Sequence, residues 1–120
     1  MAKILIVDDS KTVRFGLRKT LEKGGHDIIE AEDGSEAIKV ATEDKTIQLM
    51  IIDFNMPRMD GITASKNIHN LPNYTKLPTF MLTTETSEEL KASAKEAGVI
   101  AWLVKPFNKE KLLKYISKVV

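Results

Sequence analysis

Residues 4–9 have the sequence Ile-Leu-Ile-Val-Asp-Asp, four consecutive apolar residues followed directly by two acids. A continuous apolar run of this length is typical of a strand buried on both faces, as in a parallel sheet, whereas a half-exposed strand alternates apolar and polar residues. Further apolar runs lie at 28–29, 49–52, 80–82 and 102–104. We therefore predict five strands, most of them inside a parallel sheet.

Helical patterns separate these runs. Val13, Leu17 and Leu21 recur every fourth residue, and Gly24-Gly25 supplies a stop. Capping residues predict four more helices. Asp33 with Glu36 opens one from Ser35 to about Glu43, and Asp60 caps one that runs to about Asn70. Thr86 with Glu89 opens a helix that Gly98 ends, and Asn108 caps the last, which places Leu112, Ile116 and Val119 on one face.

The alternation of strand and helix over five units predicts a (βα)₅ α/β fold, an open parallel sheet with helices on both faces. Five units are too few for a closed eight-stranded barrel. We expect residues 1–120 to form a single domain with no attached output domain.

Composition excludes several classes of protein. With 42% apolar and 29% charged residues the chain is an ordinary globular sequence, and it has neither a signal peptide nor an apolar run of the roughly 20 residues that span a membrane. A net charge of +1 gives no general attraction to nucleic acid. The absence of cysteine excludes disulfides and thiolate metal sites, and it favours a cytoplasmic location.

The residues that follow the predicted strands are the candidates for function, because ligands of open α/β sheets bind at the carboxyl ends of the strands. Four of the five strands end in polar groups of different chemistry. These are Asp8-Asp9 after the first run, Asp53 after the third, Thr83-Thr84 after the fourth and Lys105-Pro106 after the fifth. We expect them to meet at one edge of the sheet.

Each of these residues has an ordinary interpretation when taken alone. Asp9 or Ser10 can cap a helix, Thr83 can be a plain strand residue, and Lys105 can be a solvated charge. Carboxylates packed together repel one another, however, and a hard cation such as Mg²⁺, with its preference for oxygen ligands, offsets that repulsion. A neighbouring carboxylate can then attack phosphorus and form an aspartyl-phosphate. Zinc is not expected, since cysteine is absent and the two histidines lie outside these strand ends.

Three stretches and one threonine resemble the receiver domain of two-component response regulators. They are residues 6–10 (IVDDS), 53–61 (DFNMPRMDG) and 105–107 (KPF), together with Thr83. The resemblance covers nearly the whole chain, in order and with similar spacing. It implies a flavodoxin-like five-stranded sheet with strand order 2-1-3-4-5.

The resemblance also implies a role for individual residues. Asp53 would be the phosphoacceptor, and Mg²⁺, or Mn²⁺ in its place, would be held by Asp8, Asp9, Asp53 and the backbone carbonyl of Asn55. Thr83, Thr84, Lys105 and Trp102 would bind the phosphoryl group or act as the switch, and Asn55 and Glu85 would tune dephosphorylation. The peptide bond between Lys105 and Pro106 would be cis.

Within the family the chain is most similar to the single-domain chemotaxis regulators. This implies a cytoplasmic, monomeric switch phosphorylated by a CheA-like sensor histidine kinase, which then binds a FliM-like flagellar motor switch protein and is reset by its own slow dephosphorylation or by a phosphatase. It would not be a multiple-turnover enzyme, nor bind nucleic acid or a membrane. A stand-alone role in a phosphorelay or another two-component pathway is the alternative.

One residue departs from the family's pattern. The switch aromatic, commonly tyrosine or phenylalanine, is Trp102 here, and the residue after the switch threonine is the β-branched Thr84 rather than a small one. We expect the bulkier indole to report activation while it stays further outward than the family's ring. An output face is predicted around it, with lysines that favour an acidic or amphipathic partner: Lys91, Lys95, Lys109, Lys111, Lys114 and Lys118.

Two functions of other classes remain open from the residues. A flavin carrier on the same fold would need an anion-binding loop after the first strand, where Asp8-Asp9 would repel the flavin phosphate. An aspartate-nucleophile phosphatase would place its nucleophile after the first strand and add a cap domain. The chain also lacks G-x-x-x-x-G-K-[ST] and G-x-G-x-x-G, which argues against nucleotide binding.

Overall fold

A computed structural model describes residues 2–120. Five strands alternate with five helices, and a short 3₁₀ turn lies at Pro72–Tyr74. The strands are β1 (Lys3–Val7), β2 (Asp27–Ala31), β3 (Leu49–Ile52), β4 (Thr79–Thr83) and β5 (Val99–Val104). The helices are α1 (Lys11–Lys23), α2 (Gly34–Glu43), α3 (Gly61–His69), α4 (Glu88–Glu96) and α5 (Lys109–Ser117).

The strands form one parallel sheet in the order β2-β1-β3-β4-β5, which confirms the predicted fold. The order reverses direction between β1 and β3, because the chain first moves outward to β2 and then returns past β1. The loops that follow β1 and β3 therefore diverge and leave a crevice between them at the carboxyl edge of the sheet.

Alternate residues of the central strands pack into two separate cores. Leu5, Val7, Met50 and Ile52 face the side covered by α2, α3 and α4. Ile4, Ile6, Leu49 and Ile51 face the side covered by α1 and α5. All eight are at most 1% exposed, which is why β1 and β3 read as continuous apolar runs.

The helix caps follow the sequence with one correction. Asp33, Asp60 and Asn108 each accept a hydrogen bond from the backbone N–H three residues on, as predicted. The cap of α4 is Ser87, whose Oγ accepts from the N–H of Leu90 at 3.3 Å, and not Thr86. The prediction was wrong because two adjacent hydroxyl residues precede this helix, and the pairing with Glu89 favoured the earlier one.

Two further expectations fail at the end of the chain. The run at 102–104 predicted a strand buried on both faces, but Val104 is 45% exposed; the position of β5 at the edge of the sheet agrees with the expected strand order. Val119 was expected to continue the buried face of α5; the helix ends at Ser117 and Val119 is 36% exposed. Within residues 2–120 none of the helices is long and apolar enough to cross a membrane.

Candidate functional site

Three carboxylates lie together at the carboxyl edge of the sheet. Asp8 follows β1 and Asp53 follows β3, and the backbone N–H of Asp53 donates to the carbonyl of Val7 at 3.0 Å. One carboxylate oxygen from each of Asp8, Asp9 and Asp53 lies within 4.8 Å of the other two. Asp8 and Asp53 are only 2% and 6% exposed, whereas Asp9 is exposed to solvent.

Lys105 connects two of these acids. Its Nζ lies 2.7 Å from Oδ2 of Asp8 and 2.9 Å from Oδ2 of Asp53. The lysine follows β5, its backbone N–H donates to the carbonyl of Thr83 at 2.9 Å, and its peptide bond to Pro106 is cis. Strand ends that are far apart in sequence thus bring an amine and two carboxylates into direct contact.

The charges of the cluster do not balance, because three carboxylates face one ammonium group. Burial raises the pKa of Asp8, although hydrogen bonds from Lys105 and from the N–H of Ser10 act against it. Burial also opposes protonation of Lys105, but hydrogen bonds to Asp8 and Asp53 outweigh it and its pKa is raised. An all-oxygen cluster with excess negative charge fits a hard divalent cation such as Mg²⁺.

Gly61 sets the position of the loop that carries Asp53. A Cβ atom at this position would lie 2.1 Å from the carbonyl oxygen of Asp53, which no side chain can tolerate. Without a side chain, the N–H of Gly61 donates to the carbonyl of Phe54 at 2.9 Å and draws the start of α3 against the loop. Residue-by-residue reasoning missed this role; the signal was a glycine directly after the cap residue Asp60.

The loop after β4 connects this site to Trp102. Thr83 is fully buried, and its Oγ1 lies 3.4 Å from the N–H of Glu85; Thr84 is exposed. The side chain of Glu85 accepts from Nδ2 of Asn55 at 2.8 Å, and its carbonyl accepts from the indole N–H of Trp102 at 2.9 Å. Glu85 therefore contacts both the loop after Asp53 and the half-buried aromatic ring of β5.

Both histidines lie away from the acids. Nδ1 of His26 accepts from the N–H of Ala2 at 3.1 Å, near the amino ends of the strands. Nδ1 of His69 lies 2.7 Å from the carbonyl of Ala97, and its Nε2 lies 3.0 Å from that of Leu77. Each ring thus contacts backbone groups outside the carboxylate cluster.

The lysines of the expected output face divide into two groups. Lys91 and Lys95 line a groove with Trp102, and Lys111 lines a second groove of which Trp102 is also part. Lys114 and Lys118 are exposed. The expected place of Lys109 on this face is corrected, because Lys109 lines a groove between α1 and α5. It lies two residues before Lys111, and therefore roughly 200° around the helix from it.

Residues 4–117 match the response regulator receiver domain. The chain is 37% identical over 119 residues to a chemotaxis protein CheY homolog of Campylobacter jejuni, covering 98% of this chain and 92% of that protein. It is 35% identical over 120 residues to protein PilH of Pseudomonas aeruginosa, covering 100% and 98%. The structure of Vibrio cholerae chemotaxis protein CheY4 superposes with a TM-score of 0.94 at 42% identity, covering 100% of this chain and 99% of that one.

Proposed function

Because the chain belongs to the response regulator receiver domain family, we propose that it is a phosphorylation switch whose phosphoacceptor is Asp53. One observation carries the proposal. Asp53 contacts the ammonium group of Lys105 at 2.9 Å and shares a cluster with Asp8 and Asp9. Asp8 also contacts Lys105, at 2.7 Å, but it is Asp53 that begins the stretch 53–61, which resembles the segment of receiver domains that carries the phosphoacceptor. A nucleophile, a cation for the incoming phosphoryl oxygens and ligands for a metal ion are thus within reach of one another.

The residues divide the reaction between them. A carboxylate oxygen of Asp53 forms a bond to phosphorus while the P–N bond of a kinase phosphohistidine breaks, and the imidazole takes up a proton as it leaves. The Nζ of Lys105 lies beside Asp53, where it can pair with the negatively charged phosphoryl oxygens. Asp8, Asp9, Asp53 and the carbonyl of Asn55 would hold Mg²⁺, which when bound neutralises charge on the phosphoryl group.

Thr83, Glu85 and Trp102 are proposed to transmit the change. The hydroxyl of Thr83 accepts from the N–H of Glu85 and still has its own O–H to donate to a phosphoryl oxygen, and movement of the hydroxyl towards that oxygen would alter its long contact with Glu85. Movement of Glu85 would alter the hydrogen bond from Trp102, since its carbonyl is the acceptor. Phosphorylation would then shift the population of conformations at the surface around Trp102.

The output face is proposed to be the surface formed by the two grooves beside Trp102. Ile100 and Val104 are 57% and 45% exposed there, between the lysines. An apolar strip flanked by positive charge suits an acidic, amphipathic segment of a target protein. The exposed Lys114 and Lys118 would add to the positive field, whereas Lys109 faces elsewhere.

The target we favour is a flagellar motor switch protein, with a chemotaxis histidine kinase as the phosphoryl donor. The similarity to the Campylobacter and Vibrio chemotaxis proteins supports this choice. A role in another two-component pathway is the second candidate, and the similarity to protein PilH, a relative whose name does not refer to chemotaxis, leaves room for it. In either pathway we propose a cytoplasmic monomer that is modified once per cycle and is reset slowly, by itself or by a phosphatase.

Intact-mass measurement after incubation with acetyl phosphate and Mg²⁺ tests the proposal. We expect one phosphoryl group on the wild-type chain and none on Asp53→Asn, with Asp33→Asn, a helix cap outside the cluster, labelled like wild type. Inorganic phosphate released in the same samples should not exceed a few equivalents in the first minutes. Equal labelling of Asp53→Asn, or rapid continuous turnover, would exclude a receiver-type switch at this residue.

A further inference from the structure

Arg14 connects the β1–α1 loop to the neighbouring strand. It lies in the first half of α1, and its side chain is only 12% exposed. Nη1 donates to the backbone carbonyl of Asp8 at 2.5 Å, and Nε donates to Oε1 of Glu30 at 2.9 Å. Glu30 is the last residue but one of β2, so the guanidinium group connects the carboxyl ends of two neighbouring strands.

The ion pair with Glu30 does not by itself require Arg14. Arg18, one helical turn later, donates its Nε to Oε2 of Glu30 at 2.6 Å and its Nη1 to Glu22 at 3.0 Å. Burial opposes ionisation of Glu30, but hydrogen bonds from Arg18 and Arg14 outweigh it, and its pKa is lowered. What distinguishes Arg14 from Arg18 is its contact with the carbonyl of Asp8.

The carbonyl of Asp8 belongs to the peptide that joins Asp8 to Asp9, so a contact with it helps to fix the position of Asp9. The N–H of Asp8 donates to the carbonyl of Ala31 at 3.2 Å, and Oδ1 of Asp8 accepts from the N–H of Ser10 at 2.8 Å. With the carbonyl of Asp8 held by Arg14, the peptide plane between Asp8 and Asp9 is held as well. That plane fixes the N–H and Cα of Asp9, the point from which its side chain departs, and Asp9 is the exposed member of the carboxylate cluster.

We propose that Arg14 is a positioning residue for the cation site, which acts by holding the Asp8–Asp9 peptide so that the Asp9 carboxylate points into the cluster. The inference rests on the proposed function of the carboxylates. Glu30 takes part by fixing the guanidinium fork in the one orientation that reaches the carbonyl of Asp8. Neither residue is among those that would hold the cation.

The direction in which Mg²⁺ affinity changes when Arg14 is removed distinguishes a positioning role from a simple effect of its charge. Arg14 is a positive charge close to a cation site, so its removal alone would strengthen Mg²⁺ binding by reducing repulsion. Loss of positioning would weaken binding, since groups that orient metal ligands typically contribute roughly 10- to 100-fold in affinity. The two explanations therefore predict opposite changes.

The experiment is calorimetric titration of Mg²⁺ into the unphosphorylated protein, with four chains: wild type, Arg14→Met, Arg14→Lys and Arg18→Met. Arg18→Met is the matched control, because it also removes one hydrogen-bond partner of Glu30 and one positive charge, while the backbone carbonyl that Arg18 contacts is that of Ile28 and not that of Asp8. We expect Arg14→Met to weaken Mg²⁺ binding by roughly 10-fold or more. Arg18→Met should bind at least as tightly as wild type.

Arg14→Lys keeps the charge without the two-pronged donor, and we expect it to stay clearly weaker than wild type. Arg14→Lys also provides the test if Arg14→Met does not fold. As a second measurement, the backbone amide resonance of Asp9 should shift in either Arg14 variant but not in Arg18→Met. Arg14 variants that bind Mg²⁺ like Arg18→Met would overturn the positioning role alone. A wild-type chain that binds no Mg²⁺ would overturn both this inference and the proposed cation site.

Discussion

Thr83 and Thr84 are adjacent residues with the same side chain and opposite surroundings. Thr83 is fully buried beside the N–H of Glu85, and Thr84 is exposed. If the hydroxyl of Thr83 binds the phosphoryl group, a variant without this hydroxyl should still be modified at Asp53 but should no longer change its structure at Trp102. The same substitution at Thr84 supplies a control of identical chemistry.

Fluorescence of Trp102, the single tryptophan, measures this response. Adding beryllofluoride with Mg²⁺ should change the emission of wild type and of Thr84→Ala, because the indole N–H is bonded to the carbonyl of Glu85. Thr83→Ala should still bind the analogue but show a much smaller change. An equal change in both threonine variants would mean that Trp102 does not respond through Thr83.

The two glycines at positions 16 and 61 lie in helices but have different surroundings. A Cβ at Gly61 would collide with the carbonyl of Asp53 at 2.1 Å, whereas a Cβ at Gly16 meets nothing within 4 Å. Gly61→Ala should therefore displace the start of α3 and lower the free energy of unfolding by about 2–4 kcal/mol. Gly16→Ala should raise it by up to about 1 kcal/mol, since alanine favours the helix.

Urea denaturation of the metal-free protein measures both changes, and Mg²⁺ titration shows whether the Asp53 loop has moved. We expect weaker Mg²⁺ binding only in Gly61→Ala. If both alanine variants gain stability and bind Mg²⁺ normally, Gly61 does not hold the loop as the structure indicates.

Elements at the centre of the sheet could be predicted from sequence because burial on both faces leaves a continuous apolar run. The same rule failed at the edge strand β5, where Trp102 and Leu103 are half-buried and Val104 is exposed. Asp8, Asp53 and Lys105 could be located because each follows a strand end. Arg14 and Glu30 could not, since their contact joins a helix to a strand without any local spacing that signals it.

The placement of Lys109 was a different kind of error, which helix geometry could have prevented. Residues 109 and 111 lie on opposite sides of α5, so they cannot both face Trp102. The choice of Ser87 over Thr86 as a cap, by contrast, depends on which hydroxyl reaches the N–H of Leu90, and two adjacent hydroxyl residues give the same pattern. Only the three-dimensional structure shows which of two adjacent hydroxyls accepts the hydrogen bond.

At the scale of the whole molecule, the amino edge of the sheet carries an ion pair that should affect acid stability. Nζ of Lys3 lies 2.5 Å from Oδ2 of Asp44, at side-chain exposures of 34% and 20%. The hydrogen bond from Lys3, with others from Thr46, lowers the pKa of Asp44 from 3.8 to about 2. The ionised carboxylate thus favours the folded state above the ordinary pKa, and this contribution is lost as pH falls towards about 2.

Asp44→Asn should lower the free energy of unfolding by about 1 kcal/mol near neutral pH, a value reduced by solvent screening of the pair. The difference from wild type should shrink as the pH is lowered from about 4 to about 2, as seen by urea denaturation across that range. Asp27→Asn, at an exposed aspartate of β2, serves as the control. A difference that grows on acidification would show that the carboxylate is not stabilising in its ionised form.

The most direct test of the central claim is to identify the residue that carries the phosphoryl group. Borohydride reduces an acyl phosphate of aspartate to homoserine, so the protein is treated with acetyl phosphate and Mg²⁺, reduced, digested and sequenced by mass spectrometry. The account predicts homoserine at position 53 in the Mg²⁺-treated sample, with Asp8, Asp9 and Asp60 unchanged. Homoserine at one of those three positions, or at none, would contradict it.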